Sequence, residues 1–241
     1  MTLTKFIRTS AVTFGALAVA TQVNAADLYA GGGLKDPVYV SGPTWAGFYL
    51  GAHLGVATAD NRVDDVNNAF GALNGAKWDN ATTGFVGGGQ AGYNFQYGNI
   101  VFGPELDFGG LAISNKQVFN ATHYTTVGDG FLLNVTGRLG YAFGPALLYV
   151  KGGYAYWDGD IGGDANSNLY RKSGSDGWTF GGGLEYKVTP TWSVKAEYLY
   201  ADFGDIDVNP VPAKTIKNDL SVNEFKVGVN YFVGNVYSPL K

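Results

Sequence analysis

Apolar and polar residues alternate with period two along most of the chain, which is the pattern of β-strands whose two faces meet different surroundings. From Ala46 to Val56 every even position is apolar, and the odd positions carry glycine, tyrosine or histidine. Helical periodicity is not sustained anywhere. The alternation predicts eight strands, covering approximately residues 46–56, 83–97, 100–112, 131–143, 147–157, 178–188, 192–200 and 223–233.

The connections between these strands are of two kinds. Three are tight turns that contain glycine or proline, at residues 98–99, 144–146 and 189–191. The other four are long, at roughly residues 58–81, 113–129, 158–176 and 202–220. Short periplasmic turns and longer extracellular loops are typical of bacterial outer-membrane barrels. We therefore predict an all-β protein: an eight-stranded antiparallel transmembrane β-barrel with four long extracellular loops and three short periplasmic turns.

Charged residues within the predicted strands all lie on the less apolar face, five acidic and five basic, and the opposite face carries none. They are Glu105, Asp107, Arg138, Lys151, Glu185, Lys187, Lys195, Glu197, Glu224 and Lys226. A lysine or arginine at the bilayer midplane costs roughly 2–4 kcal/mol, so the uncharged face is expected to contact lipid. The alternative is a soluble, lipocalin-like barrel, in which the apolar face would point inward.

The ten charges also bear on the barrel interior. Eight strands enclose a space only just wide enough for side chains. Five acids and five bases are expected to pair there into a hydrogen-bonded network that plugs the barrel, because unpaired buried charges are costly. A wide water-filled channel is not expected.

Composition excludes several other classes. Only 15% of residues are charged, which is too few for an ordinary soluble surface. The absence of cysteine excludes disulfides, thiolate zinc sites and thiol catalysis. With a formal net charge of −4, the chain is also unsuited to binding nucleic acid through phosphate attraction.

The N-terminus is predicted to be a signal peptide. Lys5 and Arg8 precede a short apolar segment at residues 11–20, and small residues lead to a cleavage site at Ala25-Ala26. The predicted organisation is a signal peptide at 1–25, a periplasmic leader at 26–44, the barrel at 45–233 and a C-terminal extension at 234–241.

Few residues are candidates for chemistry. His53 lies on the inward face of the first strand. There we interpret it as a hydrogen-bonded interior residue, which is a simpler explanation than a general base. His123 and Tyr124, in the second long loop, are residue types that ligate haem iron, although an ordinary polar loop is the favoured interpretation. We predict no enzyme activity, no catalytic or metal-binding residue and no cofactor, and keep His123 and Tyr124 as the haem-binding alternative.

Three stretches resemble the small porin-like outer-membrane immunogenic proteins of alphaproteobacteria. Residues 45–51 are similar to that family's first strand, and residues 178–186 and 192–200 are similar to its sixth and seventh strands. The resemblance implies an OmpA-type barrel that is abundant, antigenic and mainly structural, although some members are described as haem-binding or as weak porins. Such barrels usually end at a terminal aromatic residue, whereas this chain continues past Phe232 to Lys241.

These observations together predict a structural barrel of the Gram-negative cell outer membrane that contributes to envelope integrity and surface antigenicity. The alternatives are a haem- or ligand-binding surface protein and a narrow, low-conductance porin. Expected partners are outer-membrane lipid, lipopolysaccharide and the barrel assembly machinery, with peptidoglycan or a host surface as further candidates and no nucleic acid.

Overall fold

The computed structural model describes residues 44–65, 77–113, 115–118, 124–163, 171–211 and 214–233. Within these ranges it contains ten β-strands, and no helix there is long and apolar enough to cross a membrane. The strands are β1 (Gly47–Asp65), β2 (Lys77–Tyr97), β3 (Ile100–Ala112), β4 (Asn115–Val118), β5 (Tyr124–Val127), β6 (Gly130–Phe143), β7 (Ala146–Gly163), β8 (Arg171–Lys187), β9 (Trp192–Val211) and β10 (Lys214–Val233).

Eight of the strands in the described part of the chain close into a barrel. Their order around the ring is β1-β2-β3-β6-β7-β8-β9-β10, and β10 pairs back to β1, with Phe48 opposite Val233. Every pairing is antiparallel. The predicted eight-stranded antiparallel barrel is confirmed.

Tight turns join the strands at one end, which we call the turn rim. They lie at residues 98–99, 144–145 and 188–191. Gly98 and Gly144 have φ angles of +57° and +62°, in the left-handed region where a side chain is strained. We call the opposite end the loop rim.

The strands extend further toward the loop rim than predicted. β1 continues to Asp65 and β2 begins at Lys77, so much of the predicted loop at 58–81 is paired backbone. The predicted loop at 113–129 contains the hairpin of β4 and β5, which pairs with the end of β7, and the ranges 158–176 and 202–220 are also largely strand. The predicted limits are confirmed for β3 and β6. For the other six barrel strands they were wrong, because they ended each strand where its outward apolar residues end, whereas backbone pairing continues.

The two faces of each long strand exchange polarity along its length. On β9, Lys195 is buried inside and Ala196 is exposed outside. Six residues further along, Ala201 is buried inside and Asp202 lies outside. Because side chains alternate strictly between faces, the direction of each residue is unchanged and only its chemistry is reversed. The surroundings of the barrel therefore change between these two levels.

Candidate functional site

The barrel interior is the place where polar and titratable side chains converge, and it consists of three layers. The turn-rim layer is apolar and contains Trp45, Tyr49, Val101, Ala142, Leu147, Tyr149 and Phe232. The charged layer lies above it and holds nine of the ten predicted interior charges. The loop-rim layer is again apolar and contains Ala57, Ala59, Val86, Leu111, Ile113, Leu132, Ala155, Trp157, Ala201, Phe203, Leu220 and Val222.

Lys151 of β7 lies at the centre of the charged layer. Its Nζ is 2.6 Å from Glu105 Oε1, 2.9 Å from Glu197 Oε1 and 3.9 Å from Asp107 Oδ2. The three carboxylates come from β3 and β9, so a single ammonium joins strands on different sides of the barrel. All four side chains are almost completely shielded from solvent. Removing one partner of any of these ion pairs would therefore leave an uncompensated buried charge, which is strongly destabilising.

Arg138 of β6 connects the charged layer to the turn-rim layer. Its Nη2 is 2.7 Å from Glu185 Oε2, and its Nη1 is 3.3 Å from Glu105 Oε2. Nη1 also donates to the Tyr49 hydroxyl at 2.9 Å, and the guanidinium lies 4.3 Å from the centre of the Tyr149 ring. Stacking of this kind suits arginine, whose planar group is weakly hydrated.

Two further lysines complete the ion pairs. Lys226 Nζ lies 3.1 Å from Asp107 Oδ1 and 3.1 Å from Glu224 Oε2. Lys195 Nζ is 3.4 Å from Glu197 Oε2 and 3.6 Å from Glu105 Oε1. Each acid of the charged layer is therefore within reach of at least one base.

A chain of neutral side chains extends the network around the barrel, and the sequence analysis missed most of it. His53 Nδ1 lies 2.7 Å from Gln90 Oε1, Gln90 donates to Asn230 at 2.7 Å, and Asn230 donates to Glu185 at 2.7 Å. Ser193 also donates to Glu185. These residues share the inward phase of the charges, which is the signal that could have identified them.

Lys187 lies apart from the other nine predicted charges. It is buried at the turn rim, where its ammonium donates to the Pro190 carbonyl at 3.0 Å and sits 3.8 Å from the centre of the Phe232 ring. Its position near the end of β8 accounts for this, because inward alternation determines the face of a residue but not its level along the barrel axis.

Trp45, which precedes β1, closes the turn rim. It is fully buried, its backbone amide donates to Gln96 Oε1 at 2.6 Å, and its indole donates to the Gly144 carbonyl at 3.2 Å. Its ring meets that of Phe232 edge-on, with centroids 5.9 Å apart. One side chain thus connects the start of β1 to a turn on another part of the rim.

A glycine makes room for a tyrosine beside the charged layer. A Cβ at Gly92 would overlap the phenol ring of Tyr49. Tyr49 can therefore reach Glu105, to which its hydroxyl donates at 2.5 Å.

The carboxylates of Glu105, Asp107 and Glu197 are close enough together to hold a metal ion. Lys151 lies within 3.9 Å of an oxygen on each of them, so an ammonium already balances their charge. His53 is 3.8 Å from Asp107 and belongs to the same buried network. The arrangement favours structural pairing over metal binding or acid–base chemistry.

The predicted haem pair cannot be assembled from the structure. His123 lies outside the described residues. Tyr124 is the first residue of β5, and its side chain also lies outside the description.

The outward face of the barrel carries large apolar side chains in a continuous band. Leu54 is 67% exposed, Phe85 75% and Tyr97 84%. An exposed apolar surface of this extent is incompatible with water and is typical of a surface that contacts lipid hydrocarbon.

Comparisons with known proteins agree with this geometry. The model of the outer membrane protein beta-barrel domain family matches residues 9–232. The 31 kDa outer-membrane immunogenic protein of Brucella melitensis is 31% identical over 205 residues, covering 78% of this chain and 83% of that protein. The 22 kDa outer membrane protein of Rhizobium leguminosarum is 32% identical over 197 residues, covering 81% of each chain.

Among solved structures, Neisserial surface protein A aligns with a TM-score of 0.41 and 18% identity, covering 78% of this chain and 97% of that chain. The family match, the two relatives and the closed barrel with its apolar outer band lead to one conclusion. The chain belongs to the outer membrane protein β-barrel domain family and is a protein of the outer membrane.

Proposed function

We propose that this protein is a structural outer-membrane barrel whose interior is sealed, so that it strengthens the envelope and displays surface antigen without conducting solutes. The observation that carries the proposal is that three layers of buried side chains follow one another along the barrel axis. A solute would have to displace the aromatic turn-rim layer, the ion pairs around Lys151 and the apolar loop-rim layer in turn.

The charged layer favours a plug over a pore because each of its charged groups lies close to at least one group of opposite charge. Glu105 has three bases within 3.6 Å, namely Arg138, Lys151 and Lys195. An ion crossing the layer would have to break contacts of this kind, and breaking a buried pair is strongly unfavourable.

The antigen role is supported by the Brucella relatives, which carry the name outer-membrane immunogenic protein. It is also supported by the strand extensions, since β1 and β10 remain paired from the apolar band up to Asp65 and Ile216. An ordered surface of this kind presents fixed epitopes. We assign no catalytic role, because the interior titratable groups are engaged with one another.

Planar-bilayer recording on the purified protein tests the seal. With folding verified by heat-dependent gel mobility, we expect no conductance above the lipid background. A reproducible ion conductance would contradict the sealed interior and support the narrow-porin alternative. A haem absorbance band that is lost in His123→Ala would instead support the ligand-binding alternative.

A further inference from the structure

Within the described part of the chain, the charged layer contains one acid more than it has bases. Its bases are Arg138, Lys151, Lys195 and Lys226, and its acids are Glu105, Asp107, Glu185, Glu197 and Glu224. The tenth predicted charge, Lys187, lies at the turn rim and donates to the Pro190 carbonyl. If all five acids were ionised, one negative charge would remain uncompensated in a space that is shielded from solvent, which is strongly unfavourable.

Glu224 is the acid whose charge is least compensated. The other four acids accept hydrogen bonds from buried side chains, for example Asp107 from Lys226 and Glu197 from Tyr149. Neither oxygen of Glu224 accepts a hydrogen bond from the described residues. The Nζ of Lys226 lies 3.1 Å from Glu224 Oε2, but it donates to both oxygens of Asp107, each at 3.1 Å. Hydrogen bonds to a carboxylate favour its charged form, and Glu224 does not receive them.

The position of Glu224 on β10 also disfavours a charge. Its partners on the neighbouring strands are Ala57 of β1 and Leu199 of β9, both buried, and the next inward residue toward the loop rim is Val222. Glu224 therefore lies where the charged layer meets the apolar loop-rim layer, and burial of a charge in such surroundings is costly. The titratable groups around it are Lys226 of its own strand, Asp107 of β3, Lys151 of β7, Glu197 of β9 and His53 of β1.

His53 is the other group that could supply the missing positive charge, but its hydrogen bonds disfavour this. Asn230 donates to Glu185 and Gln90 donates to Asn230, so Gln90 Oε1 accepts from His53 Nδ1. The neutral imidazole thus carries its proton on Nδ1. An additional proton would bind Nε2, which is buried and has no hydrogen-bond partner among the described residues. The imidazolium would therefore contain an unsatisfied buried donor.

We propose that the Glu224 side chain binds a proton in the folded barrel at neutral pH, and that release of this proton at higher pH destabilises the barrel. The proton brings the charged layer to four negative and four positive groups. In the unfolded chain the same carboxyl is exposed to water and is ionised above about pH 4.3. The folded state therefore binds one proton more than the unfolded state, until the pH at which the barrel releases it.

Stability must fall as the pH rises across this interval, because protons then favour the state that binds more of them. The unfolding equilibrium constant should rise by up to about tenfold for each pH unit. This pH dependence goes beyond the sealed-barrel function, since it requires only that Glu224 is buried and not that solutes are excluded.

Urea unfolding of the wild type and of Glu224→Gln in lipid vesicles, between pH 6 and pH 8, tests the proposal. Glutamine has nearly the shape of a protonated glutamic acid and is uncharged at every pH, so the variant should fold and lack this pH dependence. We expect the unfolding equilibrium constant of the wild type, divided by that of the variant, to rise at least about tenfold from pH 6 to pH 8. The matched control is Glu185→Gln, which removes a carboxylate that is hydrogen-bonded to Arg138, Ser193 and Asn230. Its ratio to the wild type should be the same at both pH values.

A ratio for Glu224→Gln that does not change with pH would overturn the proposal, because Glu224 would then be ionised in the folded barrel. The same slope seen with His53→Gln instead would assign the proton to the imidazole. A constant ratio, combined with stronger stabilisation by sodium chloride than by tetramethylammonium chloride, would assign the missing charge to a small bound cation.

Infrared spectroscopy gives a second readout that needs only the wild type. The folded barrel at pH 7 should show the carbonyl stretch of a protonated carboxylic acid, and this band should be lost in Glu224→Gln. Absence of the band from the folded wild type would overturn the proposal whether or not the variant folds.

Discussion

Replacing Lys151 with methionine should be among the most destabilising single changes inside the barrel. Methionine keeps much of the buried stem but removes the ammonium that lies 2.6 Å from Glu105 and 2.9 Å from Glu197. The carboxylates of Glu105 and Glu197, which face the same small space, would then lose one of the bases that compensate their charge.

The magnitude follows from the contacts that remain. At an effective dielectric constant near 20, two unit charges 4 Å apart interact by about 4 kcal/mol. Lys195 stays 3.6 Å from Glu105 and 3.4 Å from Glu197, so part of the compensation survives. We expect a loss of about 3–5 kcal/mol in the free energy of unfolding, which is the usual range for a broken buried pair.

Urea unfolding in lipid vesicles, followed by tryptophan fluorescence, measures this loss. Lys187→Met is the matched control, since Lys187 is also buried but bonds to the Pro190 carbonyl, and its replacement should cost about 1–2 kcal/mol. The double variant Lys151→Met/Glu197→Gln restores the charge balance and should recover at least about 1 kcal/mol.

The electrostatic account would be refuted if Lys151→Met cost no more than Lys187→Met. It would also be refuted if the double variant were no more stable than the single one.

Three more predictions concern the membrane face, the turn rim and processing. Ala52→Lys should destabilise the barrel in vesicles by roughly 2–4 kcal/mol, because it places a charge in lipid hydrocarbon. Thr58→Lys, on the same outward face at the level where outward residues become polar, should cost about 0–1 kcal/mol. Equal costs would show that this level is not the edge of the hydrocarbon. Trp45→Ala should lower the unfolding free energy by about 3–5 kcal/mol through loss of a fully buried ring, measured by the same urea titration. The mature protein should begin at Ala26, and an intact mass from outer membranes that retains residues 1–25 would exclude cleavage there.

The sequence was sufficient to predict the barrel and the face on which each charge lies. Outward residues of the barrel must be uncharged where they contact lipid. The alternation of an uncharged face with a polar one therefore identified the strands over the thickness of the membrane. Lys195 inside and Ala196 outside follow from that rule alone.

The levels and partners of the interior groups could not be predicted in the same way. Lys151, Glu105 and Glu197 meet because of the stagger of β7, β3 and β9 around the ring, and no local pattern encodes it. Lys187 shares their face but lies at a different level, against Phe232.

The loop-rim layer was missed for a different reason. Above the membrane the outward residues become polar, and a strand such as 201–211 then has the composition of a loop. The inward series Leu199, Ala201 and Phe203 continues the same alternation and shows that the strand persists. The strand ends would have been predicted correctly from the alternation of the inward residues rather than from the hydrophobicity of the outward face.

The sealed interior is tested most directly by cysteine accessibility, because the chain contains no cysteine and any introduced thiol is unique. Thr136 points into the charged layer, is 3% exposed and donates to the Glu105 carbonyl, whereas Asp176 is exposed near the loop rim. With the barrel folded in vesicles, a small charged thiol reagent present on both sides should modify Asp176→Cys rapidly and leave Thr136→Cys unmodified until the protein is boiled. Modification of Thr136→Cys in the folded barrel at a rate close to that of Asp176→Cys would show that water and ions reach the charged layer, and the interior would then be a channel.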